Sequence, residues 1–484
     1  MSAIKKLAGQ TAIYGLSSII GRVLNYFLVP LHTAFFATDQ YGVISEFYAY
    51  VAFFAVFLTL GLETTFFRFV NKSEDKEKTF NQTFSLVLIL NGVFLLSVIV
   101  FAQSIANWML FPEYSNYVIW FACILALDAT TSIVMAKLRF QEEAKRFAMI
   151  QLVSVGVNIA LNLIFLLVLF DDYPGAGIGF IFLANLLSSA IRPFFLAREL
   201  SRFRFVLDKA VAGAMLLFAA PLAIAGFAGI INETLDRILL KRMLLDEGQT
   251  YAESQVGIYS ANYKLSILIT LFIQAFRYAA EPFFFSQAKN QDRDKTYSKI
   301  MTWFVIVVML MFLVISLNLD IFKWFMTSEE FHVGLTVVPI LLLANCCLGI
   351  YYNQSIWYKL VDRTMFGAYI AIGGAAITVA LNVALIPTLG FEGSAWATLI
   401  CYASMMVASY ILGKIYHPIR YNLRKVALYA FSAIGLFFFG KWLTFDSFAV
   451  TFALHSVVIL VFIALVFFME KPLRQFKRNK SSET

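Results

Sequence analysis

Long apolar runs, about fourteen of them, alternate with short polar gaps along the whole chain. A run of roughly 20 apolar residues is the length at which an α-helix crosses the hydrocarbon core of a bilayer. The pattern predicts helices at 10–33, 41–67, 81–104, 117–137, 147–170 and 177–197, then at 210–236, 254–281, 297–319, 333–358, 366–387 and 393–414, with a final pair at 424–443 and 447–469. All the gaps are short, so no folded domain outside the membrane is expected and function must reside in the helices.

Lys and Arg collect in every second gap. The basic clusters are Lys5 and Lys6; Arg68, Lys72, Lys76 and Lys78; Lys137, Arg139, Lys145 and Arg146; and Arg198, Arg202, Arg204 and Lys209. They continue with Lys289, Arg293, Lys295 and Lys299; Lys359 and Arg363; Lys414, Arg420, Arg424 and Lys425; and Lys471, Arg474, Lys477, Arg478 and Lys480. Together these are 29 of the 38 basic residues, whereas the intervening gaps carry mostly acids such as Asp39, Glu113, Asp171, Asp172, Asp246 and Glu247. Basic loops stay in the cytoplasm, so an even number of crossings with both termini cytoplasmic is expected. The composition, 60% apolar and 14% charged, fits a polytopic membrane protein and not a soluble domain. Orientation alone accounts for the net charge of +8, which therefore implies no nucleic-acid partner. Lys5 and Lys6 lead into a run too long for a signal-peptide core. Cys123, Cys346, Cys347 and Cys401 all lie in apolar runs and read as small core residues.

The chain repeats itself. Gln40-Tyr41-Gly42-Val43-Ile44-Ser45 is echoed by Gln255-Val256-Gly257-Ile258-Tyr259-Ser260, an offset of 215; Leu161-Asn162 is echoed by Leu381-Asn382, an offset of 220. A Gly-rich turn follows each Leu-Asn pair. Duplicating a six-helix unit keeps its orientation, so the expected architecture is all-α: two parallel six-helix lobes around a central cavity plus two C-terminal helices. The lobes would be 1–208 and 209–415, with helices 13 and 14 and a basic cytoplasmic tail in 416–484. Pro30, Pro193, Pro221, Pro282 and Pro339 lie within or at the ends of predicted helices and would bend them locally.

A charge at mid-membrane costs about 2.5–3.5 kcal/mol on insertion scales, so each one needs a reason. Arg22 stands near the middle of the first run with Ser18, Asn25 and Tyr26 on the same helical face. Lys264 lies in the eighth run, with Gln274 and Tyr278 near its face and Arg277 further round. Arginine binds phosphate oxygens bidentately and lysine acts as a point charge, so this set suits an anionic ligand. Among the buried acids, Asp128 and Asp236 are candidates for coupling to a proton or Na⁺, or for counter-ions; Glu63 and Glu281 read better as counter-ions. Tyr351-Tyr352-Asn353-Gln354-Ser355-Ile356-Trp357-Tyr358 ends the tenth run; Asn345, Asn353 and Gln354 are candidate polar contacts, while Trp357 and Tyr358 read as part of the interfacial aromatic belt. No Walker loop is present, and His32, His332, His417 and His455 show no metal spacing, so no cofactor is expected beyond a coupling ion.

"ATDQYGVIS" over 37–45, "LDRILLKRML" with "ESQVGIYSANYKL" over 235–265, and "LNVALIPTLGFEGSAWATLI" over 381–400 resemble Wzx-type polysaccharide flippases. These form a family of the multidrug/oligosaccharidyl-lipid/polysaccharide exporter superfamily. The resemblance covers essentially the whole chain. It implies movement of an undecaprenyl-diphosphate-linked oligosaccharide across a bacterial inner membrane, without enzymatic chemistry, with glycan polymerase and chain-length proteins as partners. Arg22 would then meet the diphosphate, and Lys264 and Arg277 would line the second lobe. A cation-coupled multidrug extruder of the same superfamily would want a carboxylate in the first run, and no acid stands between Leu7 and Thr38. A lipid II flippase remains a close cousin of the first reading. A membrane-bound glycan polymerase or ligase would need a sizeable outer loop carrying Arg, His or acids, and no gap is long enough.

Overall fold

The computed structural model describes residues 3–287, 290–361 and 363–470, with side chains from Tyr14 onward except Ala279, Pro282 and Ser286. The basic tail beyond residue 470, Lys289 and the side chains of Lys5, Lys6 and Pro282 lie outside the described residues. Everything described is helix or connection. In chain order the α-helices are α1 (Ala3–Tyr26), α2 (Leu28–Phe35), α3 (Thr38–Thr59), α4 (Leu62–Lys72), α5 (Lys76–Trp108), α6 (Ser115–Phe140), α7 (Ala144–Ile164), α8 (Gly179–Phe195), α9 (Ala197–Ser201) and α10 (Lys209–Met243). They continue as α11 (Gln249–Gln287), α12 (Arg293–Leu317), α13 (Leu319–Phe322), α14 (Val338–Gln354), α15 (Ile356–Leu360), α16 (Met365–Leu389), α17 (Phe391–Tyr416), α18 (Leu423–Trp442) and α19 (Phe448–Glu470). Among the described residues, twelve helical segments are long and apolar enough to cross a membrane and α8 is a shorter apolar helix. With α1 and α2 at the first run, each predicted crossing has a helix in its place.

Where the predicted helices break, the chemistry is local. Pro30 has no N–H to give to the carbonyl of residue 26, and the first run divides at Phe27 into α1 and α2. The second run divides at Leu60 and Gly61, both left-handed (φ 42° and 66°), which terminates α3 and starts α4. Glycine carries the second of these without strain. Pro339 opens α14 and Pro193 closes α8, whereas Pro221 sits inside an unbroken α10. Asp208 caps α10 by accepting from the N–H groups of Ala210 and Val211. The extended stretch before it is held by α5: Gln82 both donates to and accepts from the Asp208 backbone, and Ser85 accepts from Val206 N–H.

Two compact units result. The first comprises residues 1–260 with 371–390; the second comprises 261–370 with 391–484, the division falling inside α11 and again near both ends of α16. In the first unit, Phe47 of α3 stacks on Phe111 (5.1 Å) and Phe121 (5.3 Å), and Phe121 meets Phe182 of α8 edge-on at 4.7 Å. A second core gathers Phe66, Phe80, Phe84, Val134, Leu138 and Leu196. In the second unit Trp357 and Tyr358 pack with Phe284 and Tyr297. That corrects the interfacial-belt reading of Trp357 and Tyr358. Both are buried, and the Trp357 indole donates to Ser409 Oγ (3.3 Å) and stacks on Tyr416. The run at 351–358 is buried on both sides of Ser355, where α14 ends and α15 begins, apart from the half-buried Tyr352. Cys346 and Cys401 are buried free thiols, with Cys123 and Cys347 half-buried.

Outside the spans, Arg146 donates from both terminal nitrogens to the two oxygens of Glu199 (2.6 and 2.8 Å) and also to the Phe195 carbonyl. Burial pushes the Glu199 carboxyl up, but the Arg146 hydrogen bonds, a backbone hydrogen bond and the charges of Arg146 and Arg198 together hold the group below its ordinary pKa. A depressed carboxyl contributes stability above its unfolded pKa and loses it as pH falls through the folded value. Arg146→Ala is expected to destabilise α9 and to flatten the acid limb of the thermal-stability profile. An acid limb unchanged in the variant would contradict this assignment.

Candidate functional site

The repeat seen in sequence becomes a contact in the first unit. Gly42 of α3 and Gly257 of α11 lie where the two repeat-equivalent helices cross. A Cβ built on Gly42 would stand 1.9 Å from the Glu253 carbonyl oxygen, and one on Gly257 would stand 1.8 Å from that of Thr38. The contact is reciprocal, since Thr38 and Glu253 are separated by the same 215 positions as Gly42 and Gly257. Small residues let helix backbones approach this closely. Thr38 Oγ1 also donates to Ser254 Oγ (3.1 Å) across the crossing. The second echo is realised as well. Asn162 donates to Asn158 and pairs with His32 of α2 (2.9 Å); Asn382 donates to the Thr378 carbonyl, and Thr378 Oγ1 donates to Asn232 of α10.

Arg22 is exposed on α1, where Ser17 and Gly21 are buried, with Asn25 also exposed and Tyr26 half-buried. Among the described residues no carboxylate is ion-paired with Arg22. In the second unit, Lys264 and Gln274 are half-buried and Tyr278 is exposed on α11. Arg277 lies 4.3 Å over the Tyr352 ring and 3.6 Å from Glu281, which also accepts from Lys359 (2.5 Å). Asn353 lines the same small recess and its buried Nδ2 has no hydrogen-bond partner there. The structure thus brings Arg277 and Asn353 together around a carboxylate; it describes Lys264, Gln274 and Tyr278 on the same helix without gathering them onto that recess.

The two coupling candidates are both neutralised. Arg192 Nη1 donates to Asp128 (2.9 Å) while its Nε donates to Ser154. Asp236 accepts from Tyr259 Oη (2.6 Å), Arg237 N–H (2.9 Å) and Arg237 Nη1 (3.0 Å). Glu63 pairs with Arg139. Sequence reasoning passed over three enclosed charges in the unit: Glu46 of α3, Lys241 of α10 and Glu253 of α11. Lys241 Nζ is 3.1 Å from Glu253 Oε1 and 3.4 Å from Glu46 Oε2, and it stands 3.1 Å from the Phe111 ring centre. The spacing signal was present, since Glu46 follows Gly42 by one turn and Glu253 precedes Gly257 by one turn.

The family model described as "Polysaccharide biosynthesis protein" matches residues 7–287, more than half of the chain. The chain belongs to that family. This is where the sequence resemblance pointed. A Haemophilus influenzae protein, "Lsg locus putative protein 1", is 21% identical over 411 residues, covering 80% of this chain and 95% of its own length. A structure of the lipid II flippase MurJ in an inward closed conformation superposes with a TM-score of 0.74 at 13% identity, covering 94% of this chain and 98% of that one. An inward-facing multidrug resistance MATE transporter of the MOP superfamily gives 0.63 at 15% identity, with 86% and 95% covered. The family member described here therefore has the exporter-superfamily fold and is a multi-pass membrane protein.

Proposed function

We propose that the chain is a flippase carrying an undecaprenyl-diphosphate-linked oligosaccharide from the cytoplasmic to the outer leaflet of a bacterial inner membrane, by alternating access, for surface polysaccharide biosynthesis. Its termini are cytoplasmic, its repeats are 1–208 and 209–415, and 416–484 adds the last two helices and the tail. Family membership supports the substrate class. The observation that carries the reading is Arg22, exposed in the first apolar run with no carboxylate ion-paired to it among the described residues. A guanidinium at that depth is tolerated where water or an anion reaches it, and a diphosphate offers the planar oxygen pairs it binds best. Inside-negative potential favours outward passage by about 2.3 kcal/mol per negative charge per 100 mV.

Arg22→Ala is expected to abolish surface glycan while the protein still inserts, and Arg22→Lys to restore only part of it because an ammonium lacks the bidentate fork. Normal surface polysaccharide in Arg22→Ala would refute the role. The lipid-linked intermediate that accumulates on deletion separates a repeat-unit carrier from a carrier of peptidoglycan precursor.

A further inference from the structure

Three ionisable groups are enclosed at the end of the first unit that the charge pattern places outside. Lys241 is 0% exposed, Glu46 1% and Glu253 8%. Glu253 is well supplied: Lys241 Nζ lies 3.1 Å from its Oε1, and Gln249 Nε2 donates to the same oxygen at 3.0 Å. Glu46 is not. Lys241 is its nearest cation at 3.4 Å, and neither carboxyl oxygen has a hydrogen-bond partner among the described residues. The charged groups facing Glu46 are Lys241 and Arg242 from α10 and Glu253 from α11, with the Tyr50 hydroxyl on its own helix. Arg242, half-buried, donates to the Trp108 carbonyl (2.7 Å) and to the Tyr50 hydroxyl (3.4 Å) and lies over the Trp108 indole, so it reaches Glu46 only through Tyr50. Helices α5 and α6, which also pack on α3, add no charge to that set.

With both carboxyls ionised, this buried cluster would hold one cation and two anions. Burying the uncompensated charge is costly, and a group in that position neutralises instead. Because Glu253 holds the hydrogen bonds, the surplus falls on the carboxyl with none. We infer that Glu46 is a proton-binding site, occupied while the Gly42–Gly257 crossing is closed and emptied when the crossing parts. The two groups flank the crossing by one helical turn each, so separating α3 from α11 pulls Glu46 from Glu253 and admits water. The Glu46 carboxyl then gives its proton to that water, and reclosure requires one back. The proton is thereby tied to the outward-opening step, which rests on the transport reading above; the binding site itself does not.

The test uses the purified full-length protein in nanodiscs. In infrared difference spectra at neutral pH, wild type is expected to show the carbonyl band of a protonated buried carboxyl, shifted in D₂O, that Glu46→Gln lacks. Glu253→Gln is expected to lose the same band, because Lys241 then matches Glu46 one to one; Lys241→Met is expected to keep it. A purely structural Glu46 would not follow this charge count. Identical spectra for wild type and Glu46→Gln overturn the proposal, whatever the protein exports. Separately, with the native cysteines replaced, disulfide formation between Thr38→Cys and Ser254→Cys is expected to fall as outer pH rises in the presence of Glu46. It is expected to be pH-independent with Glu46→Gln; pH-independent yield in both sinks the link to opening.

Discussion

Alanine at Gly42 or Gly257 is expected to abolish transport and lower thermal stability, the reverse of what glycine-to-alanine does in an ordinary helix. In a helix interior alanine is favoured by roughly 1 kcal/mol. Here each new methyl would fall less than 2 Å from a backbone carbonyl oxygen of the facing helix, 1.9 Å at one site and 1.8 Å at the other. A carbonyl cannot swing aside as a side-chain tip can, so the helices must part by more than an ångström. Overpacking typically costs about 1–3 kcal/mol, and separation also breaks the Thr38–Ser254 hydrogen bond and loosens the enclosure of Lys241. Gly92 and Gly156 supply the control, because nothing lies within 4 Å of a Cβ at either. Alanine there is expected to leave the melting temperature unchanged or slightly higher. Equal effects at all four positions would show that the crossing carries no special constraint.

The helices were legible because lipid imposes one rule along the whole chain, and run length with loop charge expresses it directly. The repeat was legible for a different reason. Gly42 and Gly257 occur in matching strings because one crossing uses both copies, each glycine admitting the other's backbone. Asn162 and Asn382 likewise match because each ties its helix by a carbonyl four residues back or a neighbouring amide. What escaped was tertiary. Trp357 and Tyr358 sit at a run's end, as belt residues do, and only the helices that bring Phe284, Tyr297, Ser409 and Tyr416 against them make them core.

The charges show the same division. A lone arginine in an apolar run can be recognised without a partner list, and Arg22 is such a residue. Pairing cannot be read that way: Asp128 finds Arg192 across 64 positions and Glu46 meets Lys241 across 195. Both partners lay in sequence stretches with no local reason to be joined. Asp128 and Asp236 drew notice as acids in apolar surroundings, yet the helices that meet them bring their own donors.

Lys241→Met is expected to be the most destabilising single charge change in the protein. Removing one member of a buried ionic set leaves an uncompensated charge, at about 3–5 kcal/mol. The Leu110 carbonyl (3.3 Å) and the Phe111 ring face (3.1 Å) lose their cation in the same step. Second substitutions divide that cost. If Glu46 already carries a proton, the stranded anion in Lys241→Met is Glu253. Lys241→Met with Glu253→Gln should then recover most of the lost melting temperature, whereas Lys241→Met with Glu46→Gln should recover little. Two ionised carboxylates would instead make both rescues partial and equal. The side-chain volumes stay nearly constant across this series, so the order of the four melting temperatures reports charge and not packing. Equal rescue would place the surplus charge on the pair as a whole and leave Glu46 without a resident proton.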